Sequence, residues 1–234
     1  MKTNRLHKNE NENEKDKLMM FNKKYYTKLT LEENILELSR KNLGNEGLQL
    51  LSELPFNLKN NVIELNLSEN VICDISPLIK MNYNNLKKLN LSKNKIENID
   101  AFEKIDLSNL ETLNLSYNKL QNINSLPKTN LSNLTDLNLG YNKISDINAL
   151  EFMKCPNLRG IDLFNNEILD ITVFERINFP QLVQISFAGN YFNHELVKNY
   201  DIISNLRKKG CNVTIWGTIK QILFFDKFNF FKLL

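Results

Sequence analysis

The sequence contains few of the residues from which catalytic and metal sites are built. Its only histidines are His7 and His194, and its three cysteines, Cys73, Cys155 and Cys211, lie far apart with no CxxC pair. That spacing provides neither a disulfide framework nor a zinc site. The seven glycines are dispersed, so the sequence has no glycine-rich phosphate loop. We therefore expect no metal, no cofactor and no enzymatic activity.

The sequence also lacks any long apolar segment. A membrane-spanning helix needs about 20 apolar residues, and a signal peptide needs an apolar stretch near its start. The opening residues, MKTNRLHKNE, are mostly polar, and no later stretch is long enough. The unpaired cysteines fit a compartment that keeps thiols reduced. We therefore predict a cytoplasmic or nuclear protein.

Charge is nearly balanced outside the N-terminal segment. The chain has a net charge of +3, and residues 1–28 contain eight Lys or Arg against four Asp or Glu. A nucleic-acid-binding domain is usually strongly basic on one face, so nucleic acid is not the expected partner. Residues 1–28 contain few apolar side chains before Leu18 and are predicted to be a disordered basic arm. The arm is either solvated or in contact with an acidic partner.

The dominant feature of the sequence is a repeat with a period of 24 residues. Each copy fits the pattern LxxLxLxxNxL, which is the leucine-rich-repeat consensus. An earlier unit in residues 33–61 reads LELSRKNLGNEG, followed by an apolar stretch that is predicted to be a helix ending near Pro55. The six regular copies begin at Val62, Leu86, Leu110, Leu134, Leu158 and Leu182 and read VIELNLSENVI, LKKLNLSKNKI, LETLNLSYNKL, LTDLNLGYNKI, LRGIDLFNNEI and LVQISFAGNYF.

The spacing of apolar residues within each copy predicts a strand followed by a short return segment. The xLxLx part alternates with period 2, which is typical of a strand with one buried face. The following NxIxxIxxL pattern fills the core from the opposite side. We therefore predict an α/β solenoid, a leucine-rich-repeat horseshoe. It would have a parallel β-sheet on its concave face and short irregular or 3₁₀ segments on its convex face.

One asparagine follows each predicted strand, where the chain turns outward. Its amide can satisfy backbone groups inside the turn. Stacked copies are predicted to form a buried structural ladder. The six ladder residues are Asn70, Asn94, Asn118, Asn142, Asn166 and Asn190.

The far end of the solenoid needs a cap that covers its exposed core. The segment from His194 to Lys209 has helical spacing, Gly210 ends it, and CNVTIW then alternates like a last strand. We predict a C-terminal cap over residues 193–217, within a domain of about seven repeats that spans residues 29–217. Residues 218–234 form an aromatic-rich tail. It packs under the cap, contacts a membrane surface or a partner, or is an artefact of gene-model prediction.

Several known repeat classes are similar to this sequence. The NxIxxIxxL pattern resembles the intracellular repeats of the type-1 protein phosphatase regulatory subunit class. The stretch KCPNLRGIDLFNN, from Lys154 to Asn166, resembles repeats of the acidic nuclear phosphoproteins and the spliceosomal A-prime protein. Residues 33–61 resemble the ribonuclease-inhibitor type of repeat. The resemblance implies an intracellular, non-enzymatic scaffold or adaptor, such as a regulatory subunit; the alternative is a ribonucleoprotein-associated adaptor.

The outward-facing positions of the predicted strands indicate where a partner protein binds. Tyr117 and Tyr141 occupy equivalent sites in adjacent repeats, and Phe164 lies one residue before the equivalent site of the next repeat. Exposed aromatic side chains on a rigid sheet are typical of interface hot spots, although tyrosine is also a neutral filler at such sites. We predict that another protein binds this concave surface. No membrane contact is expected, except through residues 218–234. The flanking polar residues of the site are Asp136, Asn138, Arg159 and Asp162.

Overall fold

A computed structural model describes residues 2–30, 32–54, 62–81, 83–192 and 196–215, with side chains described from residue 12 onward. Eight short parallel strands form one open sheet in chain order. Leu65 lies beside Leu89, which lies beside Leu113, so equivalent residues of successive repeats pair. The predicted parallel solenoid is confirmed. The strands are β1 Ile35–Glu37, β2 Glu64–Asn66, β3 Lys88–Asn90, β4 Thr112–Asn114, β5 Asp136–Asn138, β6 Gly160–Asp162, β7 Gln184–Ser186 and β8 Asn212–Thr214.

The return segments on the convex side are mostly single 3₁₀ helices, as the short irregular pattern predicts. Three α-helices occur at the two ends of the described chain: α1 Lys2–Tyr25, α2 Gly44–Ser52 and α3 Val197–Lys208. Helix α2 is the helix predicted for the first repeat. The 3₁₀ helices are Ser76–Lys80, Asp100–Lys104, Leu126–Lys128, Asn148–Phe152 and Thr172–Glu175.

The core is a stack of aliphatic side chains between the sheet and the return segments. Leu67, Leu91 and Leu115, which the alternation predicts to point inward, are 0% exposed. Ile72 and Ile96, from the second apolar pattern, are also fully buried. Burying one such side chain contributes about 1.5–3 kcal/mol. The aliphatic columns therefore fill the core without any of the aromatic residues proposed for binding.

The six ladder asparagines lie inside the solenoid. Their relative exposure ranges from 0% for Asn70 to 8% for Asn94, Asn118 and Asn142. The Asn118 Nδ2 group donates hydrogen bonds to the carbonyl oxygens of Leu91 at 2.9 Å and Leu115 at 3.0 Å. A buried polar group without such partners would be strongly unfavourable.

The same asparagine side chains also join neighbouring repeats. Asn118 Oδ1 accepts a hydrogen bond from the backbone N–H of Ile96 at 3.0 Å, one repeat earlier. Asn142 Nδ2 donates to Leu115 O, which already accepts from Asn118 Nδ2. Each ladder residue therefore satisfies groups of its own repeat and of the repeat before it.

The N-terminal segment differs from the sequence-based expectation. Helix α1 replaces the disordered arm that was predicted over residues 1–28. Leu18, Phe21 and Tyr25 follow helical spacing and are 7%, 2% and 6% exposed. An added Cβ on Gly47 of α2 would lie only 3.0 Å from Tyr25 Cζ. The end of α1 therefore covers the first repeat, and the prediction of disorder was wrong because it weighed composition above spacing.

The described part of the C-terminal cap follows the predicted order. Helix α3 is followed by Gly210, whose φ of 86° is a left-handed conformation that glycine adopts without strain, and then by β8. Ile203 and Leu206 of α3 are buried. His194, Trp216 and the tail 218–234 lie outside the described residues.

Candidate partner-binding surface

The residue before each ladder asparagine has an unusual backbone conformation. Tyr117 and Tyr141 lie three residues beyond the last residues of β4 and β5, with φ of 54° and 55°. Such left-handed geometry costs a non-glycine residue about 1–2 kcal/mol. The equivalent positions of the other repeats share this left-handed conformation. They are Arg40, Glu69, Lys93, Asn165 and Gly189.

Hydrogen bonds to the next repeat hold this conformation in place. The Tyr117 N–H donates to Gly140 O at 2.9 Å, and the Tyr141 N–H donates to Phe164 O at 2.7 Å. The conformation therefore belongs to the repeat rather than to the tyrosines alone. It places both tyrosines just past the strand ends, at the rim of the concave face rather than on the strands themselves.

Three aromatic side chains form a continuous row along this rim. The Tyr117 and Tyr141 rings stack with centroids 3.9 Å apart and an interplanar angle of 12°. The Phe164 ring lies 5.0 Å from the Tyr141 ring at an angle of 49°. Tyr117 is 45% and Tyr141 37% exposed, whereas Phe164 is half-buried. We refer to Tyr117, Tyr141 and Phe164 as the aromatic row.

Contact between the two tyrosines changes the acidity of one phenol. The pKa of Tyr141 is raised above its usual value, chiefly because its hydroxyl group is hydrogen-bonded to Tyr117. Partial desolvation and the nearby charge of Asp162 act in the same direction. The contact therefore favours the neutral form of the Tyr141 phenol.

Two of the predicted polar residues lie directly beside the aromatic row. Asn138 Oδ1 accepts the Gly140 N–H at 3.0 Å, and Asp162 Oδ1 accepts the Phe164 N–H at 2.9 Å. Both side chains are therefore fixed by the turns that carry Tyr141 and Phe164.

The other two predicted polar residues lie at the start of the strands, at the far end from the aromatic row. Asp136 is the first residue of β5, and Arg159 directly precedes β6. Each of them lies five residues before the aromatic residue of its own repeat, and both are exposed. The structure thus separates the seven predicted residues into two groups. Five lie at the end of the strands, namely the aromatic row with Asn138 and Asp162, whereas Asp136 and Arg159 lie at the start of the strands.

A shallow groove runs between these two groups across the concave face. It has a volume of about 470 Å³ and crosses β4 to β8. Polar side chains and two aspartates face it, so it is suited to hydrogen bonding more than to burying a large apolar ligand. The polar residues that line the groove are Thr112, Asn114, Asp136, Asn138, Asp162, Gln184, Ser186 and Thr214.

The asparagines that end β2, β3 and β4 have a structural role that was not predicted from the sequence. Asn66, Asn90 and Asn114 each accept, through Oδ1, the backbone N–H of the serine two residues later. An Asx-type turn of this kind ends a strand. The Asn-Leu-Ser spacing could have predicted it. These asparagine oxygens are therefore used internally, and the groove offers fewer free acceptors than its composition indicates.

The part of the chain that the structure describes offers little support for metal binding, membrane insertion or disulfide formation. There, no cluster of three or more His, Cys, Asp or Glu could hold a metal ion. Within the same residues, every helix is too short or too polar to cross a membrane. The thiols of Cys73, Cys155 and Cys211 are free, and burial raises the pKa of Cys155 to about 12.

Comparisons with known proteins agree with the architecture. A leucine rich repeat family model matches residues 108–168, and a model of leucine rich repeats in two copies matches residues 84–128. Among solved structures, internalin C2 from Listeria monocytogenes is similar, with 23% sequence identity and a TM-score of 0.51 over 84% of this chain and 89% of that chain. A search of curated proteins gave no match. The chain has the leucine-rich-repeat fold, with eight parallel strands in an open sheet.

Proposed function

We propose that this protein is a non-catalytic scaffold or adaptor that binds another protein on the concave side of its sheet. Leucine-rich-repeat proteins generally mediate protein–protein interaction, and repeat solenoids use extended concave surfaces for binding. The observation that carries the proposal is the aromatic row, with two stacked tyrosines exposed at the rim.

The aromatic row is already ordered before a partner binds. The backbone of Tyr117 and Tyr141 is bonded to the next repeat, and their rings already stack against each other. Little conformational entropy is therefore lost when a partner covers them. Aromatic side chains that combine a large apolar face with a polar tip dominate interface hot spots. The core is filled by Leu115 and Leu139, so neither ring is needed for folding.

The direct test is affinity purification of the intact chain from its native cell, followed by mass spectrometry. The wild-type chain, the double variant Tyr117→Ala/Tyr141→Ala and the control Phe152→Ala are compared. Phe152 is 65% exposed on a convex 3₁₀ helix, so its loss removes a similar exposed aromatic from the opposite face. We expect a partner that wild type and control retain and the double variant loses. Equal capture by all three chains would refute the proposal.

A regulatory subunit is the finer form of this function that the sequence resemblance favours. The alternative is a ribonucleoprotein-associated adaptor, supported by the resemblance of the stretch from Lys154 to Asn166. Against direct RNA binding on the sheet, Lys87, Lys88 and Lys93 are each paired with a glutamate. A salt-dependent titration with RNA separates the two functions, because phosphate binding weakens steeply with salt.

We also propose a cytoplasmic or nuclear location, which the three free thiols support.

A further inference from the structure

The charged side chains on the sheet divide into two distinct regions. On β2 to β4 and the turns that flank them, lysines meet carboxylates in exposed ion pairs. On β5 and β6, Asp136 and Asp162 form no ion pair with any residue that the structure describes, and neither does the adjacent Arg159. The ion pairs of the first region are Lys87–Glu111 at 2.8 Å, Lys88–Glu64 at 2.7 Å and Lys93–Glu69 at 3.1 Å.

Each of the two aspartates is held by one oxygen and presents the other beside a glycine. Asp136 Oδ2 accepts the Thr135 hydroxyl at 2.7 Å, while a Cβ on Gly160 would lie 3.1 Å from Asp136 Oδ1. Asp162 Oδ1 accepts a backbone N–H, while a Cβ on Gly140 would lie 3.4 Å from Asp162 Oδ2. The lack of a side chain at each glycine therefore leaves room for one carboxylate oxygen, Asp136 Oδ1 beside Gly160 and Asp162 Oδ2 beside Gly140.

The register of β5 and β6 brings the two aspartates close enough for one guanidinium group to bind both. Asp136 pairs with Gly160 in the sheet register, and Asp162 lies two residues further along β6. Strand spacing and rise then place their Cα atoms roughly 8 Å apart, on one face of the sheet. A guanidinium has five N–H donors in a planar fork and can donate to two carboxylates at once, which an ammonium group does less readily.

We propose that the groove receives an arginine side chain of the partner protein between Asp136 and Asp162, which both line it. An apolar side chain next to that arginine contacts the aromatic row. This inference rests on the proposed function and specifies the partner chemistry. It follows from charge complementarity, since these two unpaired carboxylates outnumber the one unpaired cation beside them, Arg159, and the lysines of the sheet are already neutralised. The same two carboxylates repel phosphate groups, which disfavours nucleic acid as the occupant.

A peptide selection with the full-length chain tests the proposal. A random peptide library displayed on phage is selected against the wild-type chain, and a synthetic copy of the most enriched peptide is titrated by fluorescence anisotropy. We expect enrichment of one arginine position beside an apolar residue. The titrated variants are D136N/D162N and the control D106N/D146N, whose carboxylates also accept backbone N–H groups but lie in return segments.

The expected affinities separate this inference from the proposed function. D136N/D162N should bind the peptide about tenfold more weakly, and the control should bind like wild type. Citrulline in place of the peptide arginine should weaken binding to wild type but have little effect on D136N/D162N. Tyrosine-dependent peptides without an enriched arginine, or peptides that D136N/D162N binds normally, would overturn the inference alone. Peptides insensitive to Tyr117→Ala/Tyr141→Ala, or no selected peptide at all, would overturn both.

Discussion

Replacing Asn118 by alanine should destabilise the fold by an amount that the hydrogen bonds around it allow us to estimate. Its Nδ2 group donates to Leu91 O and Leu115 O, and its Oδ1 accepts the Ile96 N–H. Leu91 O also accepts from Asn94 Nδ2, and Leu115 O also accepts from Asn142 Nδ2. Both carbonyls therefore keep one partner after the substitution.

The backbone N–H of Ile96 would instead lose its bond while buried in the core. An unsatisfied buried donor costs about 1–3 kcal/mol, and we expect Asn118→Ala to lower the free energy of unfolding by that amount. Asn118→Asp should be at least as harmful. It keeps the acceptor for Ile96 but turns an oxygen toward the two carbonyl groups. Urea denaturation, with the m-value checked for a change, measures both effects.

Asn133→Ala is the matched control for this prediction. Asn133 is exposed, and its Nδ2 donates a single hydrogen bond to Ser108 O at 2.9 Å. Exposed substitutions of this kind usually change stability by less than about 0.5 kcal/mol. The reasoning would be refuted if Asn118→Ala were as mild as the control, or if Asn118→Asp were tolerated.

Three further predictions concern single residues. Gly189→Ala should lower the melting temperature, because Gly189 has a φ of 79° and an added Cβ would lie 3.0 Å from backbone atoms of the preceding repeat; an unchanged melt contradicts this. A thiol reagent at mildly alkaline pH should modify exposed Cys73 at once and Cys155 only after unfolding, since burial raises the pKa of Cys155 to about 12; mass spectrometry decides. The raised pKa of Tyr141 favours its neutral phenol in the folded state, so its stabilising contribution is complete below about pH 10 and is lost as pH rises through the folded-state pKa. In a tyrosinate absorbance titration, Tyr117→Phe should return the pKa of Tyr141 toward its usual value, and an unchanged Tyr141 titration midpoint would contradict the contact.

Much of the fold could be predicted because the repeat itself encodes it. The 24-residue period fixes which residues pair, and Leu89 and Leu113 lie in register as the alignment requires. The return segments were also predictable in kind, because they are too short for α-helices. The end of α1 was not recognised. Leu18 and Phe21 belong to the short apolar run LMMF, whose two methionines are exposed, and only a neighbouring surface explains which of these residues are buried.

The candidate surface was predictable only in part. The alignment shows that Tyr117 and Tyr141 are equivalent, but it does not reveal their left-handed backbone or the 3.9 Å stacking of their rings. Those features depend on hydrogen bonds between repeats. In the sequence, Asp136 and Arg159 lie only five residues before the aromatic residues of their repeats. In the structure, a strand lies between them, so the two kinds of residue are on opposite sides of the groove. Linear proximity does not show on which side of the sheet a residue lies.

The central claim is that the aromatic row binds the partner, and calorimetric titration of the purified partner tests it most directly. Tyr117→Ala and Tyr141→Ala should each lower affinity by about 2 kcal/mol, roughly thirtyfold, while the thermal melt stays nearly unchanged. A variant that lacks residues 218–234 should bind normally. Removing residues 1–28 is not a suitable control, because Leu18 and Phe21 belong to the core. Wild-type affinity in both tyrosine variants, together with loss of binding on removal of residues 218–234, would contradict the claim.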